Sequence, residues 1–552
     1  MSRERDTIAD LLLDRLGDHR PGLRSRDRTW TWDEVVRDSA ARAARLRQLR
    51  DDDRPFHIGV LLDNVPEFVL WLGAAALSGA TVVGINPTRR GSYLAAEVRH
   101  TDLQLVVTDA AGLALLDGLD IGVPRDRFLL VDSPGYAEQL AGEPGEPVRD
   151  PSITPATRML LLFTSGTTGA SKAAICSQGR LAGLARQNSA KYHIGRDDVC
   201  YCCMPLFHGN ALMALWAPAL LAGACVALAP KFTASGFLAD VRHYGATYFT
   251  YVGKALGYLL SQPERPDDAE NTLTHGFGTE ASPEDQAEFK RRFGARLYEG
   301  YGSSEGAGMI NQAPDGPPSA LGVPAHAGVR VVDPETLETC PPAELDEYGR
   351  VRNAEHAIGE IVDTEGAAKF EGYYENPAAN AERVRHGWYW TGDLGYLDAE
   401  GYLYFAGRSG DWIRVDGENI SALLTERVLR RHPDIIAAGV FAVPDPRSGD
   451  QVMAAVETRA RFADLHLAEF LAAQQDLGGK GIPRYVRVSH QLPTTGSNKL
   501  RKKEMQADGW RTTDEVHWWP GRGAPSYVRM TEQHKQDLRA QFAANGRLRF
   551  LP

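Results

Sequence analysis

The chain has 552 residues, which is more than one hydrophobic core usually holds, so two or more domains are expected. A hydrophobic fraction of 43% and a charged fraction of 24% are typical of a soluble globular protein and argue against a mainly disordered one. The formal net charge of -11 argues against general binding of nucleic acid, because its phosphates must be met by clustered Lys and Arg. A local basic site for a nucleotide stays open.

The amino terminus reads MSRERDTIADLLLDRL, which is charged and amphipathic and has no apolar signal core. A long apolar stretch at residues 68–85 approaches the length of a membrane span. Two internal glycines and the closing Asn86-Pro87 divide it, which favours a core helix followed by a short strand at 81–83. We therefore expect a cytoplasmic protein without a transmembrane segment, while peripheral contact with a membrane stays open.

Up to about residue 400, helical and strand patterns alternate. The sequence predicts a helix at 66–77 and strands at 57–62, 103–108, 128–131, 158–163, 224–228 and 246–250. Strands that alternate with helices are typical of α/β layers with largely parallel sheets.

Among the six cysteines, Cys200 and Cys203 have C-x-x-C spacing. A zinc site would need a second such pair or histidines in register, and the sequence offers neither. The cysteines lie beside an apolar run, so buried and reduced thiols are the favoured interpretation. Reduced thiols agree with a cytoplasmic location.

The pattern changes near residue 400, where Glu400-Gly401 separates two short aromatic strands and predicts a hairpin. Beyond a polar joint, the sequence predicts a small α+β unit with strands at 412–415, 436–443, 451–457 and 485–488 and helices at 422–431 and 465–475. We therefore expect an α/β fold with a large amino-terminal domain of layered sheets, 1–408, and a small mobile α+β domain, 409–552. Its tail, with a helical stretch at 531–544, is expected to pack on the small domain.

The strongest chemical signal is LFTSGTTGASK at residues 162–172. An apolar strand leads into a loop of Thr, Ser and Gly that Lys172 closes. Glycines let backbone amides approach a polyanion, hydroxyls add donors, and the lysine supplies charge. The loop is not the motif of P-loop NTPases, which needs four residues between its glycines and then Lys-Ser/Thr. It predicts a phosphate-binding loop rather than a polar surface turn.

The second signal is YEGYGSSEG at residues 298–306. Tyr301 stands between glycines and offers a ring face for a purine. Ser304 can donate to phosphate, and Glu305 is a hard oxygen ligand suited to magnesium. The same residues match G-x-S-x-G, the nucleophile elbow of serine hydrolases, with Ser304 as nucleophile. That alternative leaves the first loop unexplained.

Three weaker signals follow. In WYWTGDLG at 388–395, Asp393 after a tight glycine turn can accept both hydroxyls of a ribose, with a capped turn as the alternative. Arg408 at the joint can bind ribose or phosphate oxygens, with a solvated linker arginine as the alternative. Lys499 in LPTTGSNKL, 492–500, can swing into a site, although most loop lysines are merely solvated.

In their order and spacing, TSGTTG-x-x-K, YG-x-S-E, TGD, GR and the late Lys resemble the acyl-adenylate-forming superfamily of acyl-CoA synthetases, peptide-synthetase adenylation domains and firefly luciferases. The resemblance covers nearly the whole chain. The stretches GFGTEASPED, RRFGARLYEGYGSSEGAG, RSGDWIRVDGENIS and VPDPRSGDQVMAAV look like the fatty-acid-transport-protein branch and the related actinobacterial fatty-acyl and steroid-side-chain CoA ligases.

The resemblance implies that matching residues hold the nucleotide. The phosphates would be wrapped by Thr164, Ser165, Gly166, Thr167, Thr168, Gly169 and Lys172. The adenine would lie between Tyr301-Gly302 on one side and Thr279, Glu280 and Ala281 on the other. Ser304 would touch the α-phosphate and Glu305 would hold magnesium, while Asp393 and Arg408 would hold the ribose.

The resemblance also implies the acyl and thiol sides. His208 and Gly300 would lie at the acyl pocket, with a structural core histidine as the alternative for His208. Lys499 would bridge the substrate carboxylate and the α-phosphate, and Gly417 would lie where the pantetheine thiol enters. The implied catalytic set is Lys499, Glu305, Ser304 and Thr164.

Three positions depart from the family pattern. Ser171 stands where the family usually has Pro, and Asn498 replaces the usual Gly before the late Lys. Gly410 stands where many relatives have a hinge Asp or Lys. The hinge residue is therefore open between Gly410 and Asp411.

The implied activity is an ATP- and Mg²⁺-dependent ligase that adenylates a hydrophobic carboxylic acid and transfers the acyl group to coenzyme A. Steroid side-chain acids and medium- or long-chain fatty acids are both candidate substrates. Three alternatives remain: delivery of the acyl group to a carrier protein, a serine hydrolase using Ser304, and an adenylate-binding protein without catalysis. Many relatives are dimers, so a homodimer stays open.

Overall fold

The computed structural model describes residues 5–140, 146–164, 172–306, 309–311, 316–317, 320–347, 351–408, 412–415, 418–447, 450–474, 477, 479–495, 499–521, 524 and 526–551. The chain divides into two compact units. Unit 1 comprises Met1–Ala281, Gln286–Ala307 and Ala368–Glu382, and unit 2 comprises Ser282–Asp285, Gly308–Ala367 and Arg383–Pro552. The domain boundary expected at 408/409 stays a prediction.

The strands, in chain order, are β1 (Pro21–Arg24), β2 (Thr29–Thr31), β3 (His57–Leu61), β4 (Thr81–Gly84), β5 (Leu105–Thr108), β6 (Phe128–Leu130), β7 (Arg158–Thr164), β8 (Lys172–Ser177), β9 (Val199–Cys202), β10 (Cys225–Leu228), β11 (Tyr248–Val252), β12 (His275–Thr279), β13 (Arg296–Glu299), β14 (Ile310–Asn311), β15 (Val323–Pro324), β16 (Val329–Val332), β17 (Gly359–Asp363), β18 (Val384–Arg385), β19 (Trp388–Leu397), β20 (Leu403–Arg408), β21 (Trp412–Val415), β22 (Glu418–Ser421), β23 (Ile435–Pro444), β24 (Asp450–Thr458), β25 (Tyr485–Ser489), β26 (Glu515–Trp518) and β27 (Val528–Arg529).

The α-helices are α1 (Ile8–Leu13), α2 (Trp32–Leu49), α3 (Pro66–Ser78), α4 (Gly91–His100), α5 (Ala110–Leu115), α6 (Tyr136–Leu140), α7 (Gln178–Lys191), α8 (Gly209–Ala211), α9 (Ala217–Ala222), α10 (Phe237–Tyr244), α11 (Gly253–Leu260), α12 (Pro283–Phe293), α13 (Ala354–Ala357), α14 (Pro377–Arg383), α15 (Ala422–Arg430), α16 (Leu467–Ala472), α17 (Lys502–Asp508) and α18 (Glu532–Ala544). A π-helix, Leu212–Trp216, joins α8 to α9.

Unit 1 is built on two sheets. One has the strand order β6-β5-β3-β4-β7-β8 and the other β13-β12-β11-β9-β10-β1-β2. Both are parallel except where β8 and β2 pair antiparallel at the edges. Strands such as β10 (CVAL) are apolar and buried throughout because both faces of a parallel sheet are covered by helices or loops. The expected α/β class with largely parallel sheets is confirmed.

The predicted elements of unit 1 match the structure within two residues at each end. The apolar stretch at 68–85 forms the buried helix α3 and strand β4, as expected. Trp71 on α3 is fully buried beside the hydroxyl of Tyr136, to which its indole N–H donates at 3.0 Å. In the part of the chain that the structure describes, none of the helices combines the length and apolarity that a membrane span needs.

The cysteines are free thiols, and all are buried except the half-buried Cys340. Burial raises the pKa of the Cys176 and Cys202 thiols to about 12. No group of three or more metal-ligating side chains occurs among the described residues. The expected burial of Cys200 and Cys203 is confirmed.

Unit 2 contains a sheet of order β16-β17-β19-β18 with β20 paired to β19, and a sheet of order β23-β24-β25-β26-β27. The predicted hairpin at residue 400 is the β19–β20 pair. The tail extends the second sheet through β26 and β27, and Phe542 on α18 lies in one apolar cluster with Phe441 and Tyr485.

One predicted helix of unit 2 was wrong in extent. The pattern at 465–475 favoured a single helix, but a 3-10 turn at Phe462–Leu465 and the helix α16 are separated at His466. The backbone of His466 has φ +46, in the left-handed region, so a continuous right-handed helix cannot pass through this residue.

Candidate nucleotide and acyl site

Two of the predicted segments in unit 1 meet at one edge of a parallel sheet. β11, β12 and β13 run side by side, with Val252 opposite Thr279 and Gly278 opposite Glu299. The segment 279–281 therefore leaves the sheet next to the segment 300–305. A side chain at Gly300 would stand 2.4 Å from the ring of Phe277, so only glycine lets the second segment pass here.

The turn at Glu280 is held in an unusual conformation. Its backbone has φ +74, which is uncommon for a residue with a side chain. A Cβ atom at Gly253 would lie 2.0 Å from the carbonyl oxygen of Glu280, so the start of α11 approaches this turn closely. The residues expected to flank the adenine, Thr279, Glu280 and Ala281, thus form a tightly packed turn.

Glu299 is a residue that the sequence reasoning did not single out. Its carboxyl accepts a hydrogen bond from the hydroxyl of Tyr251 at 2.6 Å. Burial raises its pKa to about 8, and hydrogen bonds from Tyr251 and from the backbone N–H groups of Ala281 and Glu280 oppose that rise. The side chain therefore ties β11 to the 279–281 turn. The sequence signal that could have identified Glu299 is an acidic residue at the end of a strand, directly before Gly-Tyr-Gly.

The phosphate loop is described at its two ends. Thr164 ends β7 opposite Lys172 at the start of β8, and the Thr164 hydroxyl donates to the Lys172 carbonyl at 3.4 Å. The predicted loop residues Ser165, Gly166, Thr167, Thr168 and Gly169 lie outside the described residues. Lys172 is buried and its ammonium pairs with the carboxylate of Glu382 at 2.9 Å.

Glu305 is the buried carboxylate of the site, with 5% of its surface exposed. The hydroxyl of Tyr373 donates to its Oε1 at 3.0 Å, and among the described residues it has no basic partner. A buried carboxylate with one hydrogen bond and no counter-ion is costly. Magnesium needs only one or two protein carboxylates beside phosphates, so Glu305 fits the expected role as its ligand.

Ser304 and His208 come from distant segments that approach each other. A side chain at Gly209 would come within 3.0 Å of the Ser304 hydroxyl. His208 precedes this glycine, and its ring lies 4.6 Å from that of Phe207. The π-helix that follows is a feature often found at functional sites.

The structure contradicts the hydrolase alternative. A nucleophile elbow places its serine on a sharp turn from a strand into a helix. Ser304 instead lies in an irregular segment after β13, and its backbone carbonyl accepts a hydrogen bond from Arg180 at 2.7 Å.

In unit 2, Asp393 and Arg408 stand directly opposite each other in the β19–β20 pair. The glycine turn before Asp393 is held by Thr391, whose hydroxyl accepts the Asp393 N–H at 3.0 Å, and by Glu360, which accepts the Gly392 N–H at 2.8 Å. Gly392 has φ +71, which glycine adopts readily. The backbones of the two predicted ribose ligands are therefore neighbours.

Lys499 closes a short loop in unit 2. Thr495 donates its N–H to the Lys499 carbonyl at 2.7 Å, and Lys499 donates its N–H to the Thr495 hydroxyl at 3.1 Å. These bonds place Lys499 at the base of the loop, as the motif predicts. Gly417, Gly410 and Asp411 lie outside the described residues, so their roles stay predictions.

Comparison with known proteins shows which family the chain matches. Residues 15–374 match the model of the AMP-binding enzyme family, and residues 424–499 match its AMP-binding enzyme C-terminal domain. The chain is 63% identical to a steroid-22-oyl-CoA synthetase of Rhodococcus jostii over 554 residues, which covers all of both chains. It is 44% identical over 523 residues to the medium/long-chain-fatty-acid–CoA ligase FadD17 of Mycobacterium tuberculosis, covering 94% of this chain and 99% of that protein.

Solved structures show the same fold. The anthranilate CoA ligase AuaEII in complex with anthranoyl-AMP superposes with a TM-score of 0.79 at 19% identity, covering 91% of this chain and 96% of that one. The O-succinylbenzoate coenzyme A synthetase MenE of Bacillus subtilis, in complex with ATP and magnesium ion, gives 0.72 at 24% identity, covering 90% and 99%. These findings confirm the predicted enzyme class, acyl-CoA synthetase of the AMP-binding superfamily, and the chain belongs to the AMP-binding enzyme family.

Proposed function

We propose that the protein adenylates the side-chain carboxylate of a steroid acid with ATP and transfers the acyl group to coenzyme A. The carrying observation is a cluster in unit 1 in which Tyr373 contacts both Lys172, at the end of the phosphate loop, and the buried Glu305, which has no basic partner among the described residues. The family match supports the nucleotide. The 63% identity to a steroid-22-oyl-CoA synthetase, against 44% to FadD17, favours a steroid acid over a fatty acid.

The acyl side of the site is apolar, which supports a large hydrophobic acid. The helical run 209–222 is almost wholly buried, and Trp216 is 2% exposed. These buried apolar side chains favour an acyl group made of hydrocarbon over a charged one. A fatty acid is the second candidate.

In the first half-reaction, a substrate carboxylate oxygen bonds to the α-phosphorus while the bond to the β-phosphate oxygen breaks and pyrophosphate leaves. No general base is needed because the nucleophile is already ionised. Lys172 and Lys499 stabilise the negative charge that develops on the phosphates. Glu305 would hold Mg²⁺, which supplies further charge neutralisation at the phosphates.

In the second half-reaction, the thiol of coenzyme A gives its proton to solvent, sulfur bonds to the acyl carbon, the bond from that carbon to the phosphate oxygen breaks, and AMP leaves. The adenylation lysine has no task in this step. We therefore propose that the small domain rotates at Gly410 or Asp411, withdraws Lys499 and brings Gly417 to the thiol path. The cytoplasmic location, a homodimer and peripheral membrane contact stay predictions of the sequence.

The test is product analysis with the purified protein. ATP, Mg²⁺ and coenzyme A are mixed with steroid side-chain, fatty and aryl acids, and acyl-AMP and acyl-CoA are detected by mass. We expect steroid acyl-CoA as the main product. Preference for a fatty acid would overturn the substrate proposal, acyl-AMP without thioester would indicate a carrier-protein acceptor, and neither product from any acid would overturn the proposed function.

A further inference from the structure

A second segment, distant in sequence from both nucleotide motifs, reaches into the phosphate and cation site. Residues 372–374 lie along the edge of β8: Ile175 donates its N–H to the Gly372 carbonyl at 3.0 Å, and Tyr374 donates its N–H to the Ala173 carbonyl at 2.8 Å. Tyr373 and Ala174 form an antiparallel bridge between these bonds. Tyr373 is therefore fixed to the strand that begins with Lys172.

The backbone of Tyr373 is held from its other side as well. Its N–H donates to the side-chain oxygen of Asn380 at 2.6 Å, and the Asn380 amide donates back to the Tyr373 carbonyl at 3.2 Å. The ring is 2% exposed and packs edge-on against Phe370 with centroids 5.4 Å apart. A side chain held this closely directs its hydroxyl with little freedom.

That hydroxyl and the ring contact two charged groups of the site at once. The hydroxyl donates to Oε1 of Glu305 at 3.0 Å, which leaves Oε2 without a donor among the described residues. The ammonium of Lys172 lies 5.3 Å from the ring centroid, within the range of a cation–π contact. One tyrosine thus orients the expected metal ligand and holds the phosphate lysine.

The backbone next to Glu305 has a second tether. The guanidinium of Arg180 donates to the Ser304 carbonyl at 2.7 Å and to the Ile175 carbonyl, in β8, at 3.0 Å. The main chain next to Glu305 is therefore fixed to β8 through Arg180, and the Glu305 side chain is fixed to the same strand through Tyr373. Magnesium demands near-ideal geometry, so the orientation of its carboxylate ligand affects affinity.

We propose that Tyr373 is the positioning residue of this site, which sets the Glu305 carboxylate to receive Mg²⁺ with one oxygen while its ring holds Lys172 toward the phosphates. The inference rests on the proposed function, since it takes Glu305 as the magnesium ligand. Outer partners of metal ligands typically change metal affinity about 10- to 100-fold. The hydroxyl and the ring have separate tasks, so Tyr373→Phe removes the first and keeps the second.

The experiment measures binding of α,β-methylene-ATP, whose α–β bond cannot be cleaved, by calorimetry with Mg²⁺ and with a chelator. In wild type, Mg²⁺ is expected to tighten binding. Tyr373→Phe should lose about 10- to 100-fold of this Mg²⁺-dependent gain and keep the affinity measured in chelator. The matched control is Tyr374→Phe, which removes a hydroxyl that donates to Asp102 at 2.8 Å instead of to Glu305, and it should behave as wild type.

A double-mutant cycle separates the effect on Mg²⁺ binding from any loss of stability in the Tyr373→Phe variant. Glu305→Gln removes the charged ligand, so adding Tyr373→Phe to it should change the Mg²⁺-dependent gain no further. Additive losses, or a single Tyr373→Phe variant within twofold of wild type, would overturn the proposal. If Mg²⁺ does not raise the nucleotide affinity of wild type, Glu305 is not the magnesium ligand and the proposal is overturned. Acyl-CoA formation would then show separately whether the proposed function stands.

Discussion

Glu299→Gln is expected to remove a loss of stability that wild type shows as pH rises from 4.5 to about 8. The Glu299 carboxyl is largely buried, and this burial raises its pKa from 4.5 to about 8. A group whose pKa is raised in the folded state binds its proton more tightly there than in the unfolded chain. Its stabilising contribution is therefore complete below pH 4.5 and is lost as pH rises to about 8.

The size of the effect follows from the same difference. A carboxyl that titrates near 8 instead of 4.5 loses about 5 kcal/mol of stability across that interval. The residue keeps part of its surface exposed, and solvent screening reduces the figure, so we expect roughly half. Glutamine does not titrate, and its side-chain oxygen can still accept the hydrogen bond from Tyr251.

The assay is the melting temperature of the protein between pH 5 and 9. Wild type should fall relative to Glu299→Gln up to pH 8 and then run parallel to it, with a gap of several degrees. Glu270→Gln, which removes an equal charge from an exposed residue that does not act on the Glu299 carboxyl, should follow wild type. A gap between wild type and Glu299→Gln that stays constant over this pH range would refute the reasoning.

Three further outcomes are expected. Lys499→Ala should lose acyl-AMP formation but still convert supplied acyl-AMP to thioester, and equal loss in both half-reaction assays would contradict the assigned role. Glu382→Gln removes the exposed partner of the loop lysine, so calorimetry should show ATP bound about two- to fivefold more tightly; weaker binding would contradict this. Gly300→Ala should lower thermal stability by about 1–3 kcal/mol because its methyl would meet Phe277 at 2.4 Å, whereas Gly302→Ala, with nothing within 4 Å, should melt as wild type.

The sequence by itself determined the local structure and the chemical motifs. Alternating apolar runs are sufficient to predict parallel strands, because each run must be buried on both faces. The Gly- and Thr-rich loop that Lys172 closes can be recognised from adjacent residues. The same holds for Glu305, which follows two closely spaced glycines. The sequence therefore predicts a nucleotide site at the ends of strands β7 and β13.

Only the tertiary structure decided which residues support those motifs. Tyr373 reaches Glu305 across 68 residues of sequence through pairing with the edge of β8, and nothing in its own neighbourhood marks it. Glu299 gains its raised pKa from burial and its contact with Tyr251 from the register of parallel strands. The break at His466 is likewise a backbone conformation that helical periodicity does not encode. Contacts of this kind depend on which strands become neighbours, and that is settled by packing the whole unit rather than by any single segment.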